Sequence, residues 1–323
     1  MSEARAFWVA APGRGEVREE RLRLPQPGEL LIRARASGIS RGTETLVFRG
    51  EVPRSEWQRM RCPFQEGEFP GPVKYGYAVA GIVESGPAEW RGRRVFCLHP
   101  HQDRFVVPQD AVVAIPDDVP ERRATLAANM ETAVNGLWDA MPGPGDRIAV
   151  IGAGVVGTLV AALAARLPGA EVELIDIDAS RAALASAFGC GFAQPSRAQD
   201  DVDLVFHASG NPDGLATALT IAGFEATVVE MSWYGTQIVP LALGGAFHSC
   251  RLTLRSSQVG AVSAARRERW SRRRRLMLAL SLLRDPLFDV LLSDETDFAA
   301  LPELMPRLAL SSEGALCHTV RYP

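Results

Sequence analysis

The stretch Arg147-Ile-Ala-Val-Ile-Gly152-Ala-Gly154-Val-Val-Gly157 decides how the rest of the chain is read. Its first five residues form a short apolar run suited to a buried strand, and an apolar helical pattern follows. The three glycines fall in G-x-G-x-x-G spacing at the turn between them. Gly152 allows a tight turn, Gly154 lets backbone approach a diphosphate, and Gly157 lets the helix lie close on the strand. The N–H groups of Val155 and Val156, at the helix start, would then attract phosphate oxygens. The second strand ends in Leu174-Ile175-Asp176, nineteen residues past Gly157. A carboxylate there accepts hydrogen bonds from a ribose 2′-hydroxyl and repels a 2′-phosphate. The motif thus points to NAD(H), while Arg181, a few residues on, keeps NADP(H) open.

Outward from this motif, strand and helix patterns alternate at 172–175, 181–188, 202–206, 215–222, 226–231 and 252–254. Such alternation implies a doubly wound, mostly parallel sheet covered by helices, a Rossmann-type domain. Ser209 with Gly210, and Ser232 with Trp233, follow later strands at the carboxyl edge, where a bound cofactor should lie. Residues 1–124 read differently, as short strands at 4–10, 29–37, 78–84 and 94–98 broken by Pro and Gly turns. A helix is expected over 124–140 and a long one over 262–283. The tail that follows is too small to fold alone, so it should return to the N-terminal β domain. The expected division is 1–124 with 285–323, and 125–284.

At 323 residues, with 47% hydrophobic and 23% charged, the chain suits two ordinary globular domains. A net charge of -3 offers no global attraction to nucleic acid or an anionic membrane. The 5 cysteines form no C-x-x-C pair, which suits a reducing compartment, and a cytoplasmic location without membrane insertion is expected. Seven arginines crowd 266–275. They read as a solvated helix face with Trp270, Leu276 and Leu280 turned inward, a phosphate or acidic-partner site being the alternative.

The order of β domain, Rossmann domain and return tail resembles the medium-chain dehydrogenase/reductase superfamily across essentially the whole chain. The segment Gly38-Ile-Ser40-Arg41-Gly-Thr43-Glu44 is similar to that family's Gly-Ile-Cys-x-Thr/Ser-Asp motif with one residue inserted. Further segments, 41–44, 72–78, 98–102 and 256–260, resemble the branch containing the bacteriochlorophyllide hydroxyethyl dehydrogenase. The resemblance implies a GroES-like β-rich catalytic domain, a nicotinamide between the domains and a homodimer. It implies too that Arg41 and His318 stand where relatives place a base near the cofactor pyrophosphate.

In zinc-containing members the first metal ligand is Cys, and here that position is Ser40. The second is the His of a Gly-His-Glu triplet, replaced here by Gly76-Tyr77-Ala78. Glu131, within Met130-Glu-Thr-Ala-Val134, alone matches a position where relatives place an acidic ligand. A hydroxyl, a phenol and one carboxylate would hold zinc poorly, so no catalytic metal is expected. His99 and His101, near Cys97, are candidates for binding substrate at a cleft rim, with a relocated metal site as the alternative.

The expected chemistry is hydride transfer between nicotinamide and an alcohol or carbonyl. The resemblance places Ser40, Thr43, Tyr77 and Glu131 on the surface facing the nicotinamide. Tyr77 would exchange the proton, its pKa lowered by Lys74, with Ser40 and Thr43 as relay hydroxyls and Glu131 as a buried base or else a helix-surface carboxylate. Reduction of an activated double bond, and nucleotide binding without catalysis, are the competing readings.

Overall fold

A computed structural model describes residues 2–310 and 315–323. The chain divides into two compact units, 1–128 with 276–323, and 129–275. It is a mixed α/β protein. The few tail residues at 311–314 lie outside the described residues.

The first unit opens with β1 (Ser2–Ala11), β2 (Arg14–Leu22), β3 (Glu29–Ile39) and the helix α1 (Arg41–Arg49). Short β4 (Glu66–Gly67) and β5 (Val73–Lys74) lead to β6 (Val79–Ser85), β7 (Arg94–Cys97), β8 (Arg104–Pro108), β9 (Val112–Ala114) and α2 (Glu121–Ala124). The period-2 pattern of β3 explains its place: Leu30, Ile32, Ala34 and Ala36 point inward and are buried, while charged Arg33 and Arg35 alternate with them. It pairs antiparallel with β6 and with β8. At its carboxyl end burial becomes continuous over Ser37–Ile39, and Ile39 runs directly into α1 through Ser40.

The second unit begins within α3 (Ala127–Ala140) and continues β10 (Arg147–Ile151), α4 (Val155–Ala164), β11 (Glu171–Ile175), α5 (Ala182–Ala187) and β12 (Gly191–Ala193). Next come β13 (Val202–His207), α6 (Pro212–Ile221), β14 (Ala222–Glu230), α7 (Ala246–Ser249) and β15 (Thr253–Ser256). These strands form one parallel sheet in the order β12-β11-β10-β13-β14-β15. Its central strands carry apolar residues on both faces because helices cover both, which is why Ile148–Ile151 of β10 and Leu204–Phe206 of β13 read as continuous apolar runs. The crossing from β11 through β10 to β13 reverses direction at β10, so the carboxyl end of β10 is the switch point where ligands bind in such sheets.

The chain leaves the second unit within α8 (Arg272–Leu282), and β16 (Leu292–Asp297), α9 (Leu301–Leu310) and β17 (Cys317–Arg321) complete the first. β17 pairs antiparallel with β3, Ile39 opposite His318, and parallel with β16. The long helix expected over 262–283 is corrected: only 272–282 is α-helical. Ser271 Oγ accepts from the N–H of Arg274 and so starts the helix, while 263–270 is held in turns such as Arg266 N–H to Ser263 O. Crowded arginines with little apolar face to bury give that stretch no reason to continue the helix. Leu276 and Leu280 turn inward as expected, and Trp270 packs against Trp138 at a tilt, with ring centroids 4.8 Å apart. Arg275 departs from the expectation of a solvated face, being 1% exposed.

Candidate functional site

In the second unit the glycine loop follows β10. Gly152 adopts φ 102°, and a Cβ there would lie 2.7 Å from the Ser209 backbone. A Cβ on Gly157 would sit 1.9 Å from the Gly152 carbonyl oxygen, so only glycine lets α4 pack this tightly on the turn. Around Gly154 nothing lies within 4 Å of a Cβ position, leaving open space at the start of α4. Gly154 is the N-cap and offers no side chain to the N–H groups of the first turn. They are free to meet an anionic oxygen, with the helix dipole adding to the attraction.

Asp176 stands just past β11 and is brought onto this loop. One carboxylate oxygen accepts the N–H of Ala153 at 2.6 Å, the other the N–H of Asp178 at 2.9 Å. A carboxylate has about four acceptor positions, so it can still take ribose hydroxyls. Arg181 turns to Asp178 (3.3 Å) and is largely buried, an ion pair that offsets its charge beside the loop. Ser209 and Gly210 follow β13 and Ser232 follows β14; the Gly210 N–H donates to Ser232 Oγ at 3.1 Å. Trp233, half-buried, comes next in the same loop. These residues therefore collect at the carboxyl edge of the sheet within one unit. A dinucleotide fits this cradle, since the space at Gly154, the uncapped amides and the anchored carboxylate match its diphosphate and sugar.

In the first unit a second polar cluster lies where β3 meets α1. Glu44 is 4% exposed; one of its oxygens accepts the Ser40 N–H at 2.8 Å and the other lies 2.8 Å from His101 Nε2. His101 Nδ1 lies 2.7 Å from Ser37 Oγ, which in turn is 2.9 Å from the Tyr322 hydroxyl. The four groups form an unbroken buried chain from α1 to the tail. Tyr77 joins at the Glu44 end: burial raises its pKa first, the Glu44 charge adds to that, and hydrogen bonds from Ser40 and Thr43 pull the other way. The structure thus brings Ser40, Thr43 and Tyr77 together.

Lys74 does not act as expected. Its ammonium lies 2.8 Å from Glu20 and 2.5 Å from Glu66, with Gln102 at 3.0 Å, and it is 1% exposed. Its charge is neutralised there, and the pKa of Tyr77 is raised rather than lowered. The phenol therefore keeps its proton at neutral pH. His99 stacks on Phe105 with ring centroids 3.8 Å apart, and on Phe64 at 5.4 Å. It also borders a cleft of about 490 Å³ that Trp8, Glu20, Glu66, Gln102 and Phe105 help to line. His101 lies in the interior instead, at 1% exposure. Arg41 donates to the Ala315 carbonyl at 3.1 Å, and His318 lies 2.7 Å from Thr296 Oγ1 with its pKa lowered by burial.

Glu131 belongs to the second unit, where it pairs with Arg275 at 2.9 Å. Burial pushes this carboxyl up and the guanidinium pulls it back, with the net direction upward. Arg275 also donates to Asn135 Oδ1 and to the carbonyls of Val259 and Ala261. A cation thus already holds the carboxylate that zinc would need, while Ser40 and Tyr77 keep their protons. This donor set does not fit a catalytic zinc. Among the described residues no three His, Cys, Asp or Glu side chains converge to hold a metal, and Cys97 Sγ turns to the Ala111 carbonyl.

Sequence reasoning missed Glu44, Ser37 and Tyr322 as partners of His101. Glu44 was visible inside the quoted Arg41–Glu44 segment, but its partner lies 57 residues away and no local pattern announces the pairing.

Comparison with known proteins places these features. The family model for the C-terminal domain of alanine dehydrogenase/PNT matches residues 125–259. An L-threonine 3-dehydrogenase from Chelativorans sp. is 27% identical over 250 residues, 66% of this chain and 68% of that protein. A 2-desacetyl-2-hydroxyethyl bacteriochlorophyllide A dehydrogenase from Cereibacter sphaeroides is 29% identical over 228 residues, 62% of this chain and 64% of that protein. Some curated relatives match over less, down to 41% of their length. Among solved structures, a zinc-binding dehydrogenase from Sinorhizobium meliloti bound to NADP superposes with TM-score 0.78 at 18% identity, covering 99% of this chain and 100% of that one. An NADH complex of a short chain alcohol dehydrogenase from Escherichia coli CFT073 gives TM-score 0.77 at 16% identity, covering 99% and 100%. The fold extends over the full chain, and the sequence likeness reaches both the glycine loop and the β-rich unit. The chain shares over its whole length the fold of these dehydrogenases, a GroES-like β-rich unit and a Rossmann unit, and its sequence is similar to those of alcohol dehydrogenase-type oxidoreductases.

Proposed function

We propose that this chain transfers hydride between NAD(H) and an alcohol or carbonyl of a small-molecule substrate, without a catalytic zinc. The observation that carries the reading is the Asp176 carboxylate fixed on the Ala153 N–H inside the glycine loop. A 2′-phosphate at the same place would meet that negative charge, so NAD(H) is preferred over NADP(H). The dinucleotide, when bound, supplies or accepts the hydride.

The chain's own contribution is to bind, orient and protonate. Tyr77 holds its proton because burial and Glu44 oppose ionisation, so it suits the role of donor to a carbonyl oxygen as negative charge develops there. A well-placed donor of this kind contributes about 3–4 kcal/mol, comparable to part of what a metal ion would give. Ser40 and Thr43 hold the phenol in position from the α1 side, and Glu44 with His101 fixes Ser40 through its backbone. Glu131 acts from its pairing with Arg275 as a support of the second unit and not as a base. His99, neutral at physiological pH, offers a stacked wall to the cleft it borders.

We further place the protein in the cytoplasm as a homodimer. Free cysteines suit a reducing compartment, no helix among the described residues is long and apolar enough to cross a membrane, and β15 is an edge strand open to pairing. The test is a fluorescence titration with NADH and NADPH, with metal analysis of the same preparation. Wild type is expected to bind NADH more tightly, and Asp176→Ala to weaken NADH about 10-fold while narrowing the gap to NADPH. No binding of either nucleotide would end the reading, and stoichiometric zinc would end its metal-free part.

A further inference from the structure

β13 ends at His207, and Ser209 lies in the turn that enters α6. Ser209 Oγ is 2.7 Å from His207 Nε2, and His207 Nδ1 is 2.8 Å from Glu230 Oε2 at the end of the neighbouring β14. The serine is exposed, the imidazole fully buried and the carboxylate half-buried. Glu230 is fixed from two further sides, by the Ser232 N–H at 2.6 Å and the Tyr234 hydroxyl at 3.0 Å. Burial pushes its carboxyl up, but the hydrogen bonds from His207 and Ser232 outweigh that and hold it below the ordinary value. An ionised carboxylate only accepts, so Nδ1 carries the ring proton and Nε2 presents its lone pair to Ser209. Ser209 Oγ accepts the Asn211 N–H at 3.1 Å, which leaves its own proton for Nε2.

The helix that follows is cut to fit. A Cβ at Gly214 would lie 2.5 Å from Ser209 Oγ and 2.7 Å from His207 Nε2. Glycine inside a helix costs about 0.5–1 kcal/mol relative to alanine, and here it keeps the serine–histidine contact clear. None of His207, Glu230 or Gly214 is needed for the glycine loop to hold a diphosphate.

We propose that Ser209, His207 and Glu230 form a nucleophilic triad and that Ser209 is an acylation site for activated carboxylic esters. Oγ forms a bond to the ester carbonyl carbon while Nε2 takes its proton. The carbon–oxygen bond to the leaving alcohol or phenol then breaks, and that oxygen departs with the proton from Nε2. Water repeats the two steps, releasing the acid and restoring the serine; nothing is oxidised or reduced. The amides nearest Oγ are already engaged, Gly210 N–H on Ser232 Oγ and Asn211 N–H on Oγ itself. With little spare support for an oxyanion, the site takes esters with good leaving groups and not amides. The Ser209 backbone abuts Gly152. A bound dinucleotide therefore shields the serine, a clause that rests on the cofactor reading above.

The experiment treats the full-length, nucleotide-free protein with p-nitrophenyl acetate, and separately with a fluorophosphonate, and locates the adduct by peptide mass mapping. The expected result is one adduct at Ser209, absent from Ser209→Ala, forming at least 10-fold more slowly in His207→Gln and in Glu230→Gln. Glu230 is a positioning residue, so its variant is read by the labelling rate at an unchanged melting temperature. Adducts scattered over lysines and tyrosines, or an unchanged rate in both histidine and glutamate variants, would overturn the triad. Saturating NADH is expected to slow labelling. Labelling at Ser209 that NADH leaves untouched supports the triad and counts against the nucleotide lying on this loop; NADH binding without any label sinks the triad alone.

Discussion

His99 shows how one side chain ties stability to pH. Burial lowers its pKa from the ordinary histidine value to about 3, with the Lys74 and His101 charges adding to the effect and the Pro100 carbonyl opposing it. The unfolded chain takes up that proton near pH 6.5, the folded chain only near pH 3. The stability this residue gives is complete above about pH 6.5 and is lost at about 1.4 kcal/mol per pH unit as the pH falls below it. Urea unfolding at pH 7.5, 6 and 5 should therefore show a decline that His99→Phe, which preserves the stack, reduces by one proton's worth of slope. An identical slope in the variant would remove His99 as the cause. Tyr77 makes the complementary statement about catalysis. Tyr77→Phe deletes only the donor, and turnover should fall about 100-fold while NADH affinity holds. A variant that turns over at the wild-type rate would show that the phenol takes no part.

At the scale of elements, the start of α8 is the place where local reading and tertiary structure part. Arg275 looks like its neighbours in sequence, yet it alone of the arginines at 272–275 is buried, because Glu131 on α3 and the carbonyls of Val259 and Ala261 wait for it. Arg275→Met should cost about 3–5 kcal/mol, since it leaves a buried carboxylate unpaired. Adding Glu131→Leu should recover most of that loss; denaturant midpoints of the single and double variants check it. Elements set by a local rule were legible. β10 spans Arg147–Ile151 as expected because an apolar run between two covering helix layers has one stable state, and Asp176 stands beside the glycine loop because its distance from the glycines is fixed by one helix and one strand. The helix across 262–283 failed because its apolar period was read through an arginine cluster, whereas the helix starts only after the cap at Ser271. The Glu44–His101 and His207–Glu230 pairs were beyond reach for a related reason: their members sit 57 and 23 residues apart, and only the folded chain brings them together, the second pair through the register of β13 on β14.

For the whole molecule, the antiparallel pairing of β17 with β3 is what makes the first unit one body out of two distant pieces of sequence. Deleting residues 317–323 strips that strand from β3 and removes the Tyr322 hydroxyl from Ser37. The loss exposes an edge whose N–H and C=O groups pair readily with other chains, so the truncated protein should accumulate in the insoluble fraction. Recovery of a monodisperse species with an unchanged circular dichroism spectrum would refute this. The same pairing has a consequence in time. Ile39 leaves the ribosome long before its partner His318 is made, with the entire Rossmann segment translated between them. At about 5–20 residues per second the wait is on the order of 15–60 s. The parallel sheet can close during that interval while the β-rich half stands incomplete, so in the cell its exposed edge is the part of the nascent chain that chaperones have reason to hold.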